Sequence, residues 1–151
     1  MSTSTDRIEK KIVLHAPRSR VWRAIADARE FGTWFGVKFE TPFAAGQEIT
    51  GRITAKGYEN MALQIWIERV EPEHTFAYRW HPYAIDPATD YASEPTTLVE
   101  IKLAEVDGGT EVTMIETGFD KIPAARRAEA YRSNDGGWAQ QIENIKRHVE
   151  S

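Results

Sequence analysis

Residues 97–118, TLVEIKLAEVDGGTEVTMIETG, alternate apolar and polar side chains on either side of Asp107-Gly108-Gly109. Val99, Ile101 and Leu103 share one face and Glu100 and Lys102 the other, the period of two expected of a half-buried strand. Beyond the turn, Val112 and Met114 continue the inward set while Glu111 and Thr113 face outward. An Asp-Gly-Gly turn between two such runs predicts an antiparallel hairpin, with strands at 97–106 and 110–118. Two residues break the pattern. Ile115 falls on the polar face, and Glu116 falls on the apolar one.

The same period runs upstream, giving strands at 8–14, 47–55, 61–71 and 74–81. Their inward positions are Ile49, Gly51 and Ile53, then Leu63, Ile65 and Ile67, then Phe76, Tyr78 and Trp80. Glu68 and Arg79 face outward, and Trp66 joins them as a second exception. EPEH at 71–74 and the Gly57-containing connection at 56–60 read as turns. Consecutive strands with short turns predict an antiparallel meander with one buried face, which needs a cover.

Helical spacing supplies candidates for that cover. In APRSRVWRAIADA, Pro17 suits a first turn and Val21, Ala24, Ile25 and Ala28 form a stripe. EFGTWFG reads as a second short helix or turn anchored by Phe31, Trp34 and Phe35. Near the C-terminus, Trp138, Ile142, Ile145 and Val149 are four, three and four apart, one buried stripe on the only element long enough to cover the sheet. Residues 123–132 form a further helical run with Ala124, Ala125, Ala128 and Tyr131 as its stripe. Between the two lie Gly136 and Gly137. Each costs about 1 kcal/mol against alanine inside a helix, so the expectation is a break capped by Asn134 or Asp135, and a joint that lets the cover shift.

The chain of 151 residues is read as one domain with an ordered core at about 7–149. It has no cysteine, which excludes disulfides and thiolate chemistry and makes the cytoplasm the simplest compartment. The N-terminus lacks a signal-like apolar region, and no run approaches the ~18 apolar residues of a membrane span. A formal charge of −4 argues against nucleic acid. The cluster Arg126, Arg127 and Arg132, interrupted by Glu129, reads as a solvated helix face.

No Gly-x-Ser-x-Gly elbow, glycine-rich phosphate loop or His-Glu-x-x-His helix occurs, and no cofactor is expected. His15, His74, His81 and His148 are scattered, so no metal site is expected either. His81 opens the long segment HPYAIDPATDYASEP, 81–95, which reads either as a binding lid or as a self-packed loop held by Tyr83 and Tyr91. Glu116 is open to three readings: a strand end reaching water, a partner for Arg79 or Arg69, or a polar anchor or proton acceptor in a pocket.

As an ordered set, APRSRVWRAI after the first strand, Trp34, AGQEITG, RVEPEHTFAYRW, TTLVEIKL, GGTEVTMIETGF and GGW resemble the heat-shock protein 90 ATPase activator homologue family of the START-like (SRPBCC) superfamily. The resemblance spans about residues 7–149 and implies the α+β helix-grip fold: six or seven antiparallel strands curved around a long C-terminal helix, with two short helices after strand 1. It also implies a cavity between sheet and helix. The inward pattern would line it with Leu63, Ile65, Phe76, Tyr78, Trp80 and Met114, close it with Trp138 and Ile142, and offer Glu116 and His81 as polar groups.

The leading function is therefore binding of a small apolar or aromatic molecule. A hydrolase- or cyclase-type enzyme is the alternative, and requires Glu116 beside a second acid, base or donor such as Tyr78, Tyr58 or His81. A third reading is a chaperone ATPase co-regulator acting through an exposed patch. The eukaryotic activators join this domain to a separate N-terminal one, whereas the present length accommodates the single domain.

Overall fold

The 97–118 hairpin forms where its pattern puts it, as strands β6 (Thr97–Val106) and β7 (Gly109–Thr117), and the rest of the sheet is built outward from it. In the computed structural model, which describes residues 7–54, 56, 57, 59, 61–82 and 91–150, the other strands are β1 (Arg7–Leu14), β2 (Val37–Lys38), β3 (Glu48–Ile53), β4 (Ala62–Glu71) and β5 (Thr75–Trp80). They make one seven-stranded antiparallel sheet in the order β1-β7-β6-β5-β4-β3-β2. The two-residue β2 is the strand that the sequence pattern did not resolve. Too short to show a period, it pairs Val37 with Ile53 and Lys38 with Arg52.

Helices α1 (Arg18–Ala26) and α2 (Ala28–Phe35) follow β1, and α3 (Ala124–Glu150) closes the chain. Pro17 precedes α1, and the Asp27 side chain caps α2 by accepting from the Arg29 and Glu30 amides. Gly51 and Gly32 are required where the chain crosses itself. A Cβ on Gly51 would lie 2.5 Å from Val37 Cγ1, and one on Gly32 would lie 2.0 Å from the Val37 carbonyl oxygen.

The inward positions read from the alternation are buried in the sheet, except that Ile53 and Leu63 are half-buried. A bulge between Ile67 and Arg69 shifts the register of β4 against β5, so that Ile67 opposes Tyr78 and Val70 opposes Phe76. The two apolar exceptions, Trp66 and Ile115, are both at least half-buried. Trp66 is half-buried on the outer face, donates its indole N–H to Glu48 at 3.2 Å and meets the His81 ring edge-on at 5.4 Å. Ile115 is 7% exposed, covered on its face of the sheet.

The C-terminal helix corrects the sequence reading. Residues 124–150 form one unbroken helix of 27 residues through Gly136 and Gly137, so there is no break and no glycine joint. Both glycines are exposed, and a Cβ on either would meet nothing within 4 Å. Asn134 and Asp135 cap nothing: the first reaches Glu116 and the second pairs with Lys10 at 2.8 Å. Of the expected stripe Ala124, Ala125, Ala128 and Tyr131, the three alanines are exposed and Tyr131 is half-buried, while the early turns bury Ala130 instead. Trp138, Ile145 and Val149 are buried as expected, and Ile142 is half-buried.

Arg126 does not belong to a solvated face. Its guanidinium donates to Glu94 Oε1 at 2.9 and 2.6 Å and to the Pro82 carbonyl at 2.8 Å, and it lies 4.9 Å from the centre of the Tyr91 ring. This fastens both described stems of the 81–95 segment to the start of α3. Its centre, residues 83–90 with Tyr83, lies outside the described residues, as do residue 55 and, in the 56–60 turn, Tyr58 and residue 60.

Candidate functional site

Glu116 is the eighth residue of β7, turned inward by parity rather than by composition, and the structure buries it completely, at 0% exposure. No cation meets it. Arg79 pairs instead with Glu68 at 2.7 Å, and Arg69 is exposed, so neither arginine partnership exists and the strand end does not open to water here. The carboxylate is held by neutral donors from three elements.

Trp80, the last residue of β5, donates Nε1–H to Oε2 at 2.8 Å. Thr97, the first residue of β6, donates its hydroxyl to the same oxygen at 2.6 Å. These two are register partners, so a single rung of the sheet at the base of the 81–95 segment delivers both. From α3, Trp138 donates Nε1–H to Oε1 at 2.7 Å, and the Asn134 amide lies 3.1 Å from each oxygen. Asn134 and Trp138 are four residues apart and share a helix face. Burial pushes the Glu116 carboxyl above its ordinary range, and the hydrogen bonds from Thr97, Trp80, Trp138 and Asn134 oppose that without cancelling it.

Tyr78 precedes Trp80 by two residues and faces the same way. Its hydroxyl is fully buried and has no hydrogen-bond partner among the described residues. Burial, reinforced by the charge of Glu116, pushes that hydroxyl well above the usual tyrosine range, so it stays protonated and is a donor. An unpartnered buried hydroxyl costs about 1–3 kcal/mol, a penalty that the surrounding packing carries.

Aromatic rings enclose these two groups. Tyr78 meets Trp80 edge-on at 5.2 Å, Trp80 lies 5.9 Å from Trp138, and Phe35 lies 5.9 and 5.8 Å from Trp80 and Trp138. Phe76 and Phe31 continue the set beyond Tyr78. Phe35 is only half-buried, which makes it the point where this interior set reaches the surface between α2 and α3. Clefts of about 620 Å³ around Gly32, Val37 and Thr54 and of about 480 Å³ around His15, Arg18 and Gly109 lie at the surface, and neither contains a residue of the Glu116 cluster.

Of the residues singled out from the sequence, Glu116, Tyr78, Trp80 and Trp138 thus come together. Phe76, Ile65 and Met114 are buried in the same core, with Leu63 at its margin, and Ile142 is half-buried on α3. His81 does not join them. It lies against Trp66, with Nε2 3.1 Å from the Glu94 carbonyl oxygen. The sequence reading did not single out Thr97, and it took Asn134 for a helix cap rather than a partner of Glu116. The signal for Asn134 was its four-residue spacing from Trp138, and for Thr97 its place opposite Trp80 across the loop.

Residues 15–150 match the sequence model of the family described as Activator of Hsp90 ATPase homolog 1-like protein. No curated protein matches the chain significantly. Among solved structures, a protein from Mesorhizobium loti is 26% identical and superposes with a TM-score of 0.74, covering 95% of this chain and 96% of its own. A protein from Arthrobacter aurescens is 17% identical with a TM-score of 0.79, covering 99% and 90%. DynU16, described as a putative protein in the dynemicin biosynthetic locus, is 21% identical with a TM-score of 0.74; the match covers 97% of this chain but 48% of DynU16.

Proposed function

The chain belongs to the Activator of Hsp90 ATPase homolog 1-like family, within the START-like superfamily, and from that membership we propose that it binds a small apolar or aromatic molecule between the sheet and α3. The observation that carries this reading is the pairing of a fully buried, unpartnered Tyr78 hydroxyl with an aromatic surround that reaches the surface at Phe35. Interiors of this kind, mostly apolar with one or two placed polar groups, are what small-molecule sites are made of.

The alternatives have less support. The enzyme reading asks for Tyr78, Tyr58 or His81 within hydrogen-bond reach of Glu116; the Tyr78 hydroxyl makes no hydrogen bond among the described residues, His81 lies against Trp66 and the Glu94 carbonyl, and Tyr58 is outside the described residues. Surface docking on a chaperone favours an exposed apolar patch, and Val13 is the one large apolar side chain exposed among the described residues. No helix among them is long and apolar enough to cross a membrane.

Native mass spectrometry of freshly purified protein tests the reading. The expected result is a discrete adduct, released by mild denaturation and absent after extraction with organic solvent. Protein that is mass-pure as isolated, and that takes up none of a panel of apolar aromatic compounds, would overturn it.

A further inference from the structure

The site's polar groups divide unequally between the protein and any guest, and this division selects a ligand class; the inference rests on the binding reading above. A carboxylate offers roughly four acceptor positions. Those of Glu116 are taken by Trp80, Thr97, Trp138 and the shared amide of Asn134. Glu116 is therefore spent on holding β5, β6, β7 and α3 together, and has no acceptor capacity left for a guest. The Tyr78 hydroxyl is the polar group that remains among the described residues, and its protonated, unpartnered O–H is free to donate.

Charge narrows the class further. The buried polar or charged residues among those described are Thr75, Thr97, Thr110 and Glu116, so none of the described lysines, arginines or histidines is fully buried. A guest carboxylate would enter a low-dielectric space with no counter-ion and with an acidic side chain beside it, which is strongly unfavourable. Ring faces and edges from Tyr78, Trp80 and Trp138 favour aromatic guests through edge and offset contacts.

We propose that the site selects neutral aromatic molecules bearing one hydrogen-bond acceptor, seated on the Tyr78 hydroxyl, and rejects their carboxylate analogues. Ketones and aryl ethers fit this description, and fatty acids do not.

Equilibrium dialysis at neutral pH with three probes of one shape tests it: 2-acetonaphthone, 2-isopropenylnaphthalene, which replaces the carbonyl oxygen with CH2, and 2-naphthoate. The wild-type protein is expected to prefer the ketone over the alkene by about two- to tenfold, the worth of one net hydrogen bond. It is expected to bind 2-naphthoate at least about tenfold more weakly than the ketone. Tyr78→Phe removes the hydroxyl and keeps the ring, so it should equalise ketone and alkene without lowering the thermal midpoint. Equal binding of ketone and alkene by wild type, a ketone preference that survives Tyr78→Phe, or tight naphthoate binding overturns the selectivity while leaving the binding function standing. Failure of all three probes overturns both. The wild-type comparison alone decides the matter if Tyr78→Phe does not fold.

Discussion

Glu116 sits where the sheet rung Trp80–Thr97 and the α3 face of Asn134 and Trp138 converge, so its chemistry is also the chemistry of the junction. Two of its partners are indole N–H groups, which donate and cannot accept. Glutamine in its place must turn an amide N–H toward at least one donor, and Glu116→Gln is expected to cost about 1–3 kcal/mol in urea unfolding at neutral pH. The raised carboxyl pKa fixes the sign of a pH effect. The folded protein holds this proton more tightly than the unfolded chain, whose carboxyl titrates near 4.5. The contribution of Glu116 is thus complete below that pH and declines as pH rises through the elevated value. The advantage of wild type over Glu116→Gln should accordingly be greatest in acid and shrink toward alkaline pH. An advantage that grows with pH would mean that the four donors outweigh burial. Glu30 runs in the opposite sense: burial raises its pKa, but hydrogen bonds from His148 and Arg20 prevail and hold it below the ordinary range.

At the scale of elements, β-strands were legible and helix continuity was not, for a physical reason. Period two repeats at every residue of a strand, so Val99, Ile101 and Leu103 declare their face with no knowledge of what lies opposite. The same parity turned Glu116 inward. Its partners could not be read, because Thr97, Asn134 and Trp138 are distant in sequence and meet only in the assembled fold. For α3, local propensity gave the wrong answer. Two glycines weaken a helix by about 1 kcal/mol each, but α3 is pinned on both sides of them by Tyr131 to the Arg7 carbonyl, by Trp138 to Glu116 and by Gln141 to the Phe35 carbonyl. Tertiary contacts carry the helix through. Since both glycines are exposed with open space around them, Gly136→Ala and Gly137→Ala should each stabilise the protein by about 0.5–1 kcal/mol, additively, in urea unfolding. Destabilisation by either would show that the local backbone needs glycine, and would restore the case for a joint. The arginine cluster was misread for a related reason: composition showed charge, and could not show that Arg126 reaches back to Glu94 and Pro82.

Across the whole molecule, a seven-stranded sheet and one long helix enclose a core whose polar content is concentrated at Glu116 and Tyr78. The family match and the superpositions agree on this architecture, while the chemistry of the guest follows from the residues of this chain. The indole N–H groups give a direct view of the proposed site. Trp80 and Trp138 bond Glu116 from opposite walls, whereas Trp66 bonds Glu48 on the outer face and serves as an internal control. The decisive measurement is a titration of 15N-labelled protein with 2-acetonaphthone, following the tryptophan indole resonances. The Trp80 and Trp138 signals should move together along one saturable curve while that of Trp66 stays in place. Movement of Trp66 alone, or no saturable change at Trp80 and Trp138, would contradict it.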